Sequence, residues 1–177
     1  MKRLTTEDFI KKAREVHGDK FDYRYVNYVN NKTKVSIICP LHGRIYQTPD
    51  NHLRFNCYSC RMREQLGTKK DIPSNLYYIS FKVNGRTYYK LGITYLDVAT
   101  RYKNQPFQDF KILAVVRYDK GIDAFDKEQL ILNTYDEYRR AIPKEVYGDG
   151  WTETMSYNIF ETEDEQEIIN KIVNFKR

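Results

Sequence analysis

The sequence lacks the features that mark membrane-spanning or secreted chains. It has no run of roughly 18 apolar residues, although 41% of its 177 residues are hydrophobic, a composition typical of a globular protein. Its first residues, MKRLTTED, contain no apolar segment like that of a signal peptide. With only three cysteines, the chain cannot pair them all as disulfides. These absences predict a protein of a reducing cytoplasm with no membrane partner.

Positive charge is concentrated in the N-terminal part of the chain. Residues 1–70 carry 15 Lys/Arg and 7 Asp/Glu, a net charge of +8, whereas residues 71–177 carry 15 and 17, a net charge of −2. The 16 tyrosines are interleaved with this charge, and aromatic rings can stack on bases. We therefore predict a nucleic-acid-binding N-terminal domain, the alternative being a basic domain that is merely soluble.

The domain boundary is expected where periodicity is lost. Residues 65–74 are polar and contain both Gly and Pro, without a helical or strand pattern. We therefore place one domain at residues 1–67, a linker at 68–74 and a second domain at 75–177.

Two short-spaced ligand pairs predict a metal site in the N-terminal domain. Cys39 and His42 are separated by two residues, as are Cys57 and Cys60, and 14 residues lie between the pairs. Zinc prefers four tetrahedral nitrogen and sulfur ligands, so a closed Cys₃His site would be structural. One alternative is three unconnected thiols and a surface histidine; another is a redox pair, although no βαβ pattern surrounds it. His52 competes as fourth ligand but is expected to be a loop or DNA-contacting residue.

The remaining N-terminal pattern predicts a helix packed on a hairpin. The helix is expected over residues 6–18, with Thr5 or Thr6 as its cap and Gly18 at its end. Its apolar stripe consists of Phe9, Ile10, Ala13 and Val16. Strands are expected around an Asn30–Asn31 turn, formed by Tyr23, Tyr25 and residues 34–38. Four arginines near the metal ligands are the predicted phosphate contacts: Arg44, Arg54, Arg61 and Arg63.

An Asn84–Gly85 dipeptide between two runs of β-branched and aromatic residues predicts a two-residue hairpin over residues 76–83 and 86–94. In that register Tyr77 faces Gly92. Lys90 faces Ile79, on the same side of the sheet as Tyr77. Tyr77 and Lys90 are therefore diagonal neighbours, close enough for the phenol and the long amine to meet. Gly92 is expected to leave open space beside the Tyr77 ring for a bulky ligand. Tyr78 and Tyr89 are expected in the core on the opposite side.

The rest of the C-terminal domain predicts an α+β fold, with a small antiparallel sheet flanked by helices. The expected elements are a helix at 97–104, a strand at 112–118, the longest helix at 123–140, an edge strand at 156–160 and a closing helix at 163–175. Glu128 falls on the apolar face of the longest helix. A buried carboxylate needs a cation, donors or a metal, so the alternatives are a metal ligand and a salt bridge.

The segment from about Asn75 to Met155 resembles the GIY-YIG endonuclease family. Residues 76–79, Leu-Tyr-Tyr-Ile, resemble the first half of the family motif, and residues 90–92, Lys-Leu-Gly, resemble the second half. Arg101 falls at the family arginine and Glu128 at its metal-binding glutamate. Asn75, Lys90 and Gln105 depart from the pattern. The N-terminal ligand pattern is also similar to small zinc domains that accompany phage and mobile-element nucleases.

This resemblance implies a Mg²⁺-dependent DNA endonuclease of phage or mobile-element origin, acting in a host cytoplasm. Glu128 would hold Mg²⁺ or Mn²⁺, and Arg101 would stabilise the phosphate. Tyr77 would be the general base, with Lys90 favouring its phenolate. Tyr102 is a candidate substrate contact. Glu153 is a candidate supporting or substrate-binding residue, the alternative being a solvated loop carboxylate. Asn133 and Asn158 are available for the family asparagine.

The departures from the family pattern leave two other hypotheses open. Lys90, Gln105 and an unassigned asparagine fit a catalytically inactive DNA-binding or regulatory protein. Exposed tyrosines fit an RNA-acting nuclease, because single-stranded substrates favour them.

Overall fold

A computed structural model describes residues 4–105 and 107–176. The chain forms two compact units, Met1–Leu66 and Gly67–Arg177. Within the described residues, no helix is long and apolar enough to cross a bilayer. The architecture is α+β, as predicted, with an antiparallel sheet in each unit.

Over its described residues, the N-terminal unit contains three helices and a two-stranded sheet. Its elements are α1 (Thr6–His17), β1 (Val35–Cys39), β2 (Gly43–Gln47), α2 (Pro49–Arg54) and α3 (Tyr58–Glu64). A capping box starts α1: the Thr5 hydroxyl accepts from the Asp8 amide at 3.2 Å, and the Asp8 carboxylate accepts from the Thr5 amide at 3.0 Å. Gly18, at φ +60°, ends the helix as predicted.

The core of this unit differs from the predicted stripe in the last turn of α1. Phe9 and Ala13 are buried, but Val16 is exposed. The ring of His17 packs instead against Phe21, with centroids 5.4 Å apart.

The strand pairing in the N-terminal unit also differs from the prediction. β1 pairs with β2, so that Cys39 faces Gly43, and the chain reverses over the residues of the first ligand pair rather than at Asn30–Asn31. The segment of Tyr23 and Tyr25 contributes only an isolated bridge between Asp22 and Ile38. The turn that carries a metal ligand therefore also sets the hairpin.

The C-terminal unit has a four-stranded antiparallel sheet in the order β5-β3-β4-β6. Its strands are β3 (Ser74–Val83), β4 (Arg86–Thr94), β5 (Gln108–Tyr118) and β6 (Thr154–Met155), and its helices are α4 (Val98–Tyr102), α5 (Gly121–Thr134), α6 (Lys144–Tyr147) and α7 (Glu165–Val173). Short 3₁₀ helices span Gly67–Asp71, Asp136–Tyr138 and Trp151–Glu153.

The β3–β4 hairpin has the predicted register. Tyr77 faces Gly92 and Lys90 faces Ile79. Asn84 and Gly85 have φ values of +50° and +75°, which is the conformation that a two-residue hairpin turn requires.

Alternate residues of β3 enter separate cores on the two sides of the sheet. One core contains Leu76 and Tyr78 with residues of α5 and α7; the other contains Tyr77, Ile79 and Tyr102. The prediction that Tyr78 and Tyr89 lie opposite Tyr77 is confirmed.

The longest helix and the edge strand have other bounds than predicted. The longest helix ends at Thr134, after which Asp136 binds both Arg139 and Arg140 in a tighter turn. The edge strand is Thr154–Met155, not 156–160, because the Asn158 side chain accepts from the Phe160 amide and donates to the Thr162 carbonyl, which forms a local turn.

The expected linker at 68–74 is part of the C-terminal unit in the structure. It overlaps the 3₁₀ helix Gly67–Asp71 and ends on the first residue of β3. Gly121 at the start of α5 approaches this segment so closely that a β-carbon there would lie 2.4 Å from the Lys69 carbonyl oxygen. This close approach requires glycine at position 121.

Candidate functional sites

The four predicted zinc ligands meet in the core of the N-terminal unit. Cys39 ends β1, His42 follows in the turn, and Cys57 and Cys60 lie at the start of α3; all four are buried. Their ligand atoms lie within 4.8 Å of one another. The turn after β1 and the start of α3 thus bring the two pairs of ligands together.

The distances between these atoms match a tetrahedral site. The His42 Nδ1 atom is 3.6 Å from the Cys39 sulfur, 3.7 Å from that of Cys57 and 3.4 Å from that of Cys60. The Cys39 and Cys60 sulfurs are 3.6 Å apart. A zinc tetrahedron with bonds of roughly 2.0 to 2.3 Å has edges of about 3.6 Å between N and S and about 3.8 Å between sulfurs. The four residues could therefore hold a metal ion such as zinc.

One of the three thiols is held in the form that ligates metal. Hydrogen bonds from Cys57 and then Cys60 hold the pKa of Cys39 far below its usual range, whereas hydrogen bonds with Cys39 and then Cys60 raise the pKa of Cys57. A thiolate is the form that binds metal.

His52 is not part of the ligand set, as expected, but it is also not the exposed loop or DNA-contacting residue that we predicted. It lies in α2, fully buried, with its Nε2 atom 3.1 Å from the Tyr23 hydroxyl. Its backbone carbonyl accepts from the ring of His17 at 2.6 Å. Burial, and then the charge of His17, lowers the pKa of His52 to about 4. His52 is therefore a neutral core residue at pH 7.

The four predicted phosphate contacts occupy different environments. The Arg44 guanidinium carbon lies 4.4 Å from the ring centroid of Tyr25, and Arg54 pairs with Asp50 at 3.3 Å on α2. Arg61 lies over two aromatic rings, and Arg63 is half-buried near the end of α3. Their contact with phosphate stays a prediction.

In the C-terminal unit, Tyr77 is buried beside a second tyrosine. Its hydroxyl is 2.8 Å from the Tyr102 hydroxyl, and the Arg101 guanidinium carbon is 5.9 Å from its ring centroid. The expected open space at Gly92 is filled by Tyr77 itself, because a β-carbon on Gly92 would lie 2.3 Å from the Tyr77 hydroxyl oxygen. Gly92 thus accommodates the phenol rather than a ligand.

The environment of Tyr77 favours the neutral phenol. Burial raises the pKa of Tyr77 well above its usual range, the adjacent Tyr102 adds to this, and the charge of Arg101 opposes it. We expected Lys90 to favour the phenolate, but the neighbouring cation that does so is Arg101.

Lys90 pairs with Glu153 rather than with Tyr77. Its side chain is only 2% exposed, forms an ion pair with Glu153 and donates a hydrogen bond from Nζ to the Gly150 carbonyl at 2.8 Å. Gly150 has φ +84°, and a β-carbon there would lie 2.8 Å from Nζ. Lys90 therefore anchors the loop before β6 to the sheet, and Glu153 is part of that anchor rather than a solvated carboxylate.

Glu128 is a buried carboxylate, 4% exposed, on α5. Its carboxylate accepts a hydrogen bond from the Gln129 amide at 3.1 Å. Burial, and then the charge of Glu153, raises the pKa of Glu128 to about 8, while Lys90 and Arg139 oppose the shift. A bound cation would relieve this burial cost.

Glu153 connects the predicted catalytic residues electrostatically. Its charge contributes to the pKa of Tyr77, of Arg101 and of Glu128, and it pairs directly with Lys90. The four predicted residues therefore lie in one electrostatic neighbourhood, although no direct contact joins Tyr77 to Glu128 among the contacts described.

Sequence reasoning missed two neighbours of this site. Arg139 donates from Nε to the Thr152 carbonyl at 3.0 Å, and its charge acts on both Glu128 and Glu153. The ring of Tyr147 lies 5.4 Å from the Lys90 Nζ atom. No local motif marks either residue. Asn158 binds Tyr78, on the side of the sheet opposite Tyr77, so it does not complete this site.

Comparisons with known proteins give one family model and several partial relatives. A model described as "Protein of unknown function (DUF723)" matches residues 2–61. "Uncharacterized protein R892" of Acanthamoeba polyphaga mimivirus is 44% identical over 35% of the chain and 24% of its own length. "Uncharacterized protein R47" of the same virus is 35% identical over 41% of the chain and 39% of its own length.

One further relative matches residues of both units. A protein of Escherichia phage T5 named "Putative endonuclease" is 24% identical over 88% of the chain and 63% of its own length. The chain thus spans less than two thirds of each of these relatives. No solved structure matches the chain significantly.

Proposed function

We propose that the chain is a metal-dependent DNA endonuclease of the GIY-YIG type, in which a zinc-stapled N-terminal unit binds DNA. The observation that carries this proposal is the buried Glu128, whose pKa is raised to about 8 beside the carboxylate of Glu153. Strongly shifted carboxyl groups are characteristic of functional sites. The phage T5 relative supports the reaction class by its name alone.

The proposed reaction is hydrolysis of a phosphodiester. Water adds to phosphorus, the bond to the 3′ oxygen breaks, and the leaving oxygen gains a proton. A Mg²⁺ ion held by Glu128 would supply positive charge for the phosphate oxygens. Glu128 fits this ligand because it is an oxygen donor whose burial already disfavours the uncompensated anion.

Arg101 and Tyr77 have complementary roles in this proposal. Arg101 is exposed beside the Tyr77 ring, where its planar guanidinium can bind a phosphate through two N–H groups. Tyr77 would take the proton of the attacking water, and Arg101 is the neighbour that favours its phenolate. Because the Tyr77 pKa is raised, we expect cleavage to accelerate as the pH rises above neutrality.

Lys90 has a positioning role in this proposal. Through Glu153 and Gly150 it holds the loop of residues 148–153 against the sheet. Arg139 holds the same loop through the Thr152 carbonyl. Together they fix the Glu153 carboxylate near Glu128.

A second candidate function is DNA binding without turnover. The neutral, buried state of Tyr77 and the engagement of Lys90 with Glu153 favour it. A nicking assay on supercoiled plasmid with Mg²⁺ separates the two, using Tyr77→Phe with Tyr89→Phe as control and Arg101→Ala with Arg86→Ala as control. We expect the Tyr77 and Arg101 variants to lose at least 100-fold in rate, of the order seen for single catalytic groups, and the controls to retain it.

The assay also has outcomes that contradict endonuclease activity. Intact plasmid with the wild-type protein, together with retained DNA binding, would support the inactive protein. Intact plasmid together with cleavage of an RNA strand incubated under the same conditions would support an RNA-acting nuclease.

A further inference from the structure

Four large aromatic side chains are exposed on the N-terminal unit. They are Tyr25, Tyr46, Phe55 and Tyr58, with exposed fractions of 51%, 49%, 45% and 62%. Large rings in water mark surfaces that another molecule can cover. Three of the four lie under a guanidinium, which sets them apart from scattered surface aromatics.

The first set, here the Tyr25 group, consists of Tyr25, Arg44 and Tyr46. Arg44 and Tyr46 project outward from alternate positions of β2. The Asp22–Ile38 bridge brings the preceding segment alongside β1, where Ile38 faces Arg44. The guanidinium of Arg44 consequently stacks on Tyr25 at 4.4 Å.

The second set, here the Arg61 group, consists of Phe55, Tyr58 and Arg61. The guanidinium carbon of Arg61 lies 5.2 Å from the Phe55 ring centroid and 5.5 Å from that of Tyr58. Tyr58 follows Cys57 and Arg61 follows Cys60, so the metal ligands fix the helical turn that presents both side chains.

Each group combines the two chemistries that single-stranded nucleic acids require. A stacked guanidinium keeps its N–H edge available for phosphate, and an exposed ring offers a face on which any base can stack. A duplex hides its base faces, so a surface of this kind discriminates in favour of unpaired nucleotides. The net charge of +8 over residues 1–70 is complementary to the phosphate backbone.

We propose that the Tyr25 group and the Arg61 group are stacking sites for unpaired bases of single-stranded nucleic acid. This inference rests on the proposed function and deepens it: the N-terminal unit would bind a substrate that contains a melted or single-stranded segment.

The direct test compares strands that differ only in their bases. Binding of the full chain to a dT oligonucleotide of about 12 nucleotides is compared with binding to an abasic strand of equal length and charge, by fluorescence anisotropy. The Glu128→Gln variant is used so that cleavage does not interfere. We expect dT to bind at least 10-fold more tightly. Equal affinity would show that only phosphates are contacted and would overturn the inference.

Two variants locate the stacking sites. Tyr25→Leu and Tyr58→Leu should each weaken dT binding by about 5- to 150-fold and leave binding of the abasic strand unchanged. The matched control is Tyr157→Leu, an exposed tyrosine that packs on Tyr138 at the core opposite Tyr77. Equal losses for the control and the variants, or no loss in either variant, would contradict the assignment. A retained zinc content of about one per chain shows that each variant is folded.

The salt dependence of binding distinguishes the contribution of the rings from that of the guanidinium. Tyr58→Leu should shift the plot of log affinity against log salt without changing its slope, whereas Arg61→Gln should reduce the slope by about 0.7. A slope change in the tyrosine variant would contradict a stacking role. An RNA strand, oligo-rU, is measured beside dT, and the strand that binds more tightly identifies the preferred sugar.

These measurements are independent of cleavage. If the proposed endonuclease activity is wrong, the protein will not cut DNA in the presence of Mg²⁺ but will still bind dT more tightly than the abasic strand. Failure of the stacking sites would leave cutting by the wild-type protein unchanged.

Discussion

Both units bury polar groups, but the two sets differ in whether each group has its partners within the set. In the N-terminal unit, the three cysteines and His42 meet one another within 4.8 Å, which leaves room for one ion and no open position. In the C-terminal unit, Lys90 is matched by Glu153, whereas Glu128 keeps a raised pKa of about 8. A closed ligand set stabilises a fold; a buried carboxyl group whose pKa burial has raised to about 8 is characteristic of a site that acts on a ligand.

The two units also differ in how they are stabilised. The C-terminal unit has an apolar core on each side of its sheet. Over residues 4–66, the N-terminal unit has one core, and it includes the three cysteines themselves. Small domains commonly need a metal to compensate for limited apolar burial, so the metal centre is expected to matter more to stability than any single core residue.

The largest effect should follow loss of a metal ligand. His42→Gln is expected to abolish stoichiometric zinc binding and unfold the N-terminal unit, because the apparent binding free energy of a structural zinc is about 10–16 kcal/mol. The matched control is His52→Gln, which should lose stability but keep one zinc per chain. Zinc content by mass spectrometry and far-UV circular dichroism measure both. A wild-type protein purified without zinc, in the absence of chelator, would contradict the metal assignment.

The pH dependence of stability should identify the Glu128 site. The carboxyl pKa is about 8 in the folded state and 4.5 ordinarily, so between these values the folded state holds a proton that the unfolded chain has released. The resulting stabilisation is complete at low pH and is lost as the pH rises through this window, by on the order of 3 kcal/mol.

The Glu128→Gln variant should lack this dependence. Urea midpoints of the wild type and the variant are compared at pH 5 and pH 8, with Glu163→Gln as the control for an exposed glutamate. Parallel behaviour of the wild type and Glu128→Gln would show that burial does not perturb Glu128.

The loop anchor should have an intermediate effect. Lys90→Met removes the partner of Glu153 and leaves the Gly150 carbonyl without its donor, so we expect a loss of about 2 kcal/mol in the free energy of unfolding. A double-mutant cycle with Glu153→Gln should give a coupling of about 1–2 kcal/mol. The exposed Lys82–Asp109 pair is the control, since Lys82→Met should cost less than about 1 kcal/mol. Equal costs at the two lysines would refute the anchor.

The smallest effects should test whether the units unfold separately. Thr5 caps α1 in one unit and Asp164 caps α7 in the other. Thr5→Ala and Asp164→Ala should each cost about 1 kcal/mol. In urea denaturation we expect each substitution to shift only the transition of its own unit, followed by zinc release for the first and by the fluorescence of Trp151 for the second. A single transition moved equally by both would show that the chain unfolds as one cooperative unit.

Short-range chemistry made parts of both sites predictable from the sequence. The Asn84–Gly85 turn determined the pairing of Tyr77 with Gly92, and the ligand spacing placed Cys39 near Cys60. These predictions succeeded because a turn type or a ligand pair acts over a few residues.

Contacts between distant loops were not predictable in the same way. Glu153 reaches Lys90 across 63 positions, and Tyr102 reaches Tyr77 across 25. Their partners depend on where the chain returns after helices of varying length. The space beside Gly92 was predicted to be open because the sequence does not reveal the rotamer of Tyr77. In the structure the Tyr77 side chain fills that space.

The rate of plasmid nicking as a function of Mg²⁺ concentration tests the proposed endonuclease most directly. The wild-type protein and the Glu163→Gln control should nick supercoiled DNA at a rate that rises and saturates with Mg²⁺. Glu128→Gln, still folded and still binding DNA, should remain at least 100-fold slower at every concentration. Equal nicking by Glu128→Gln, or nicking that ignores Mg²⁺, would contradict the account.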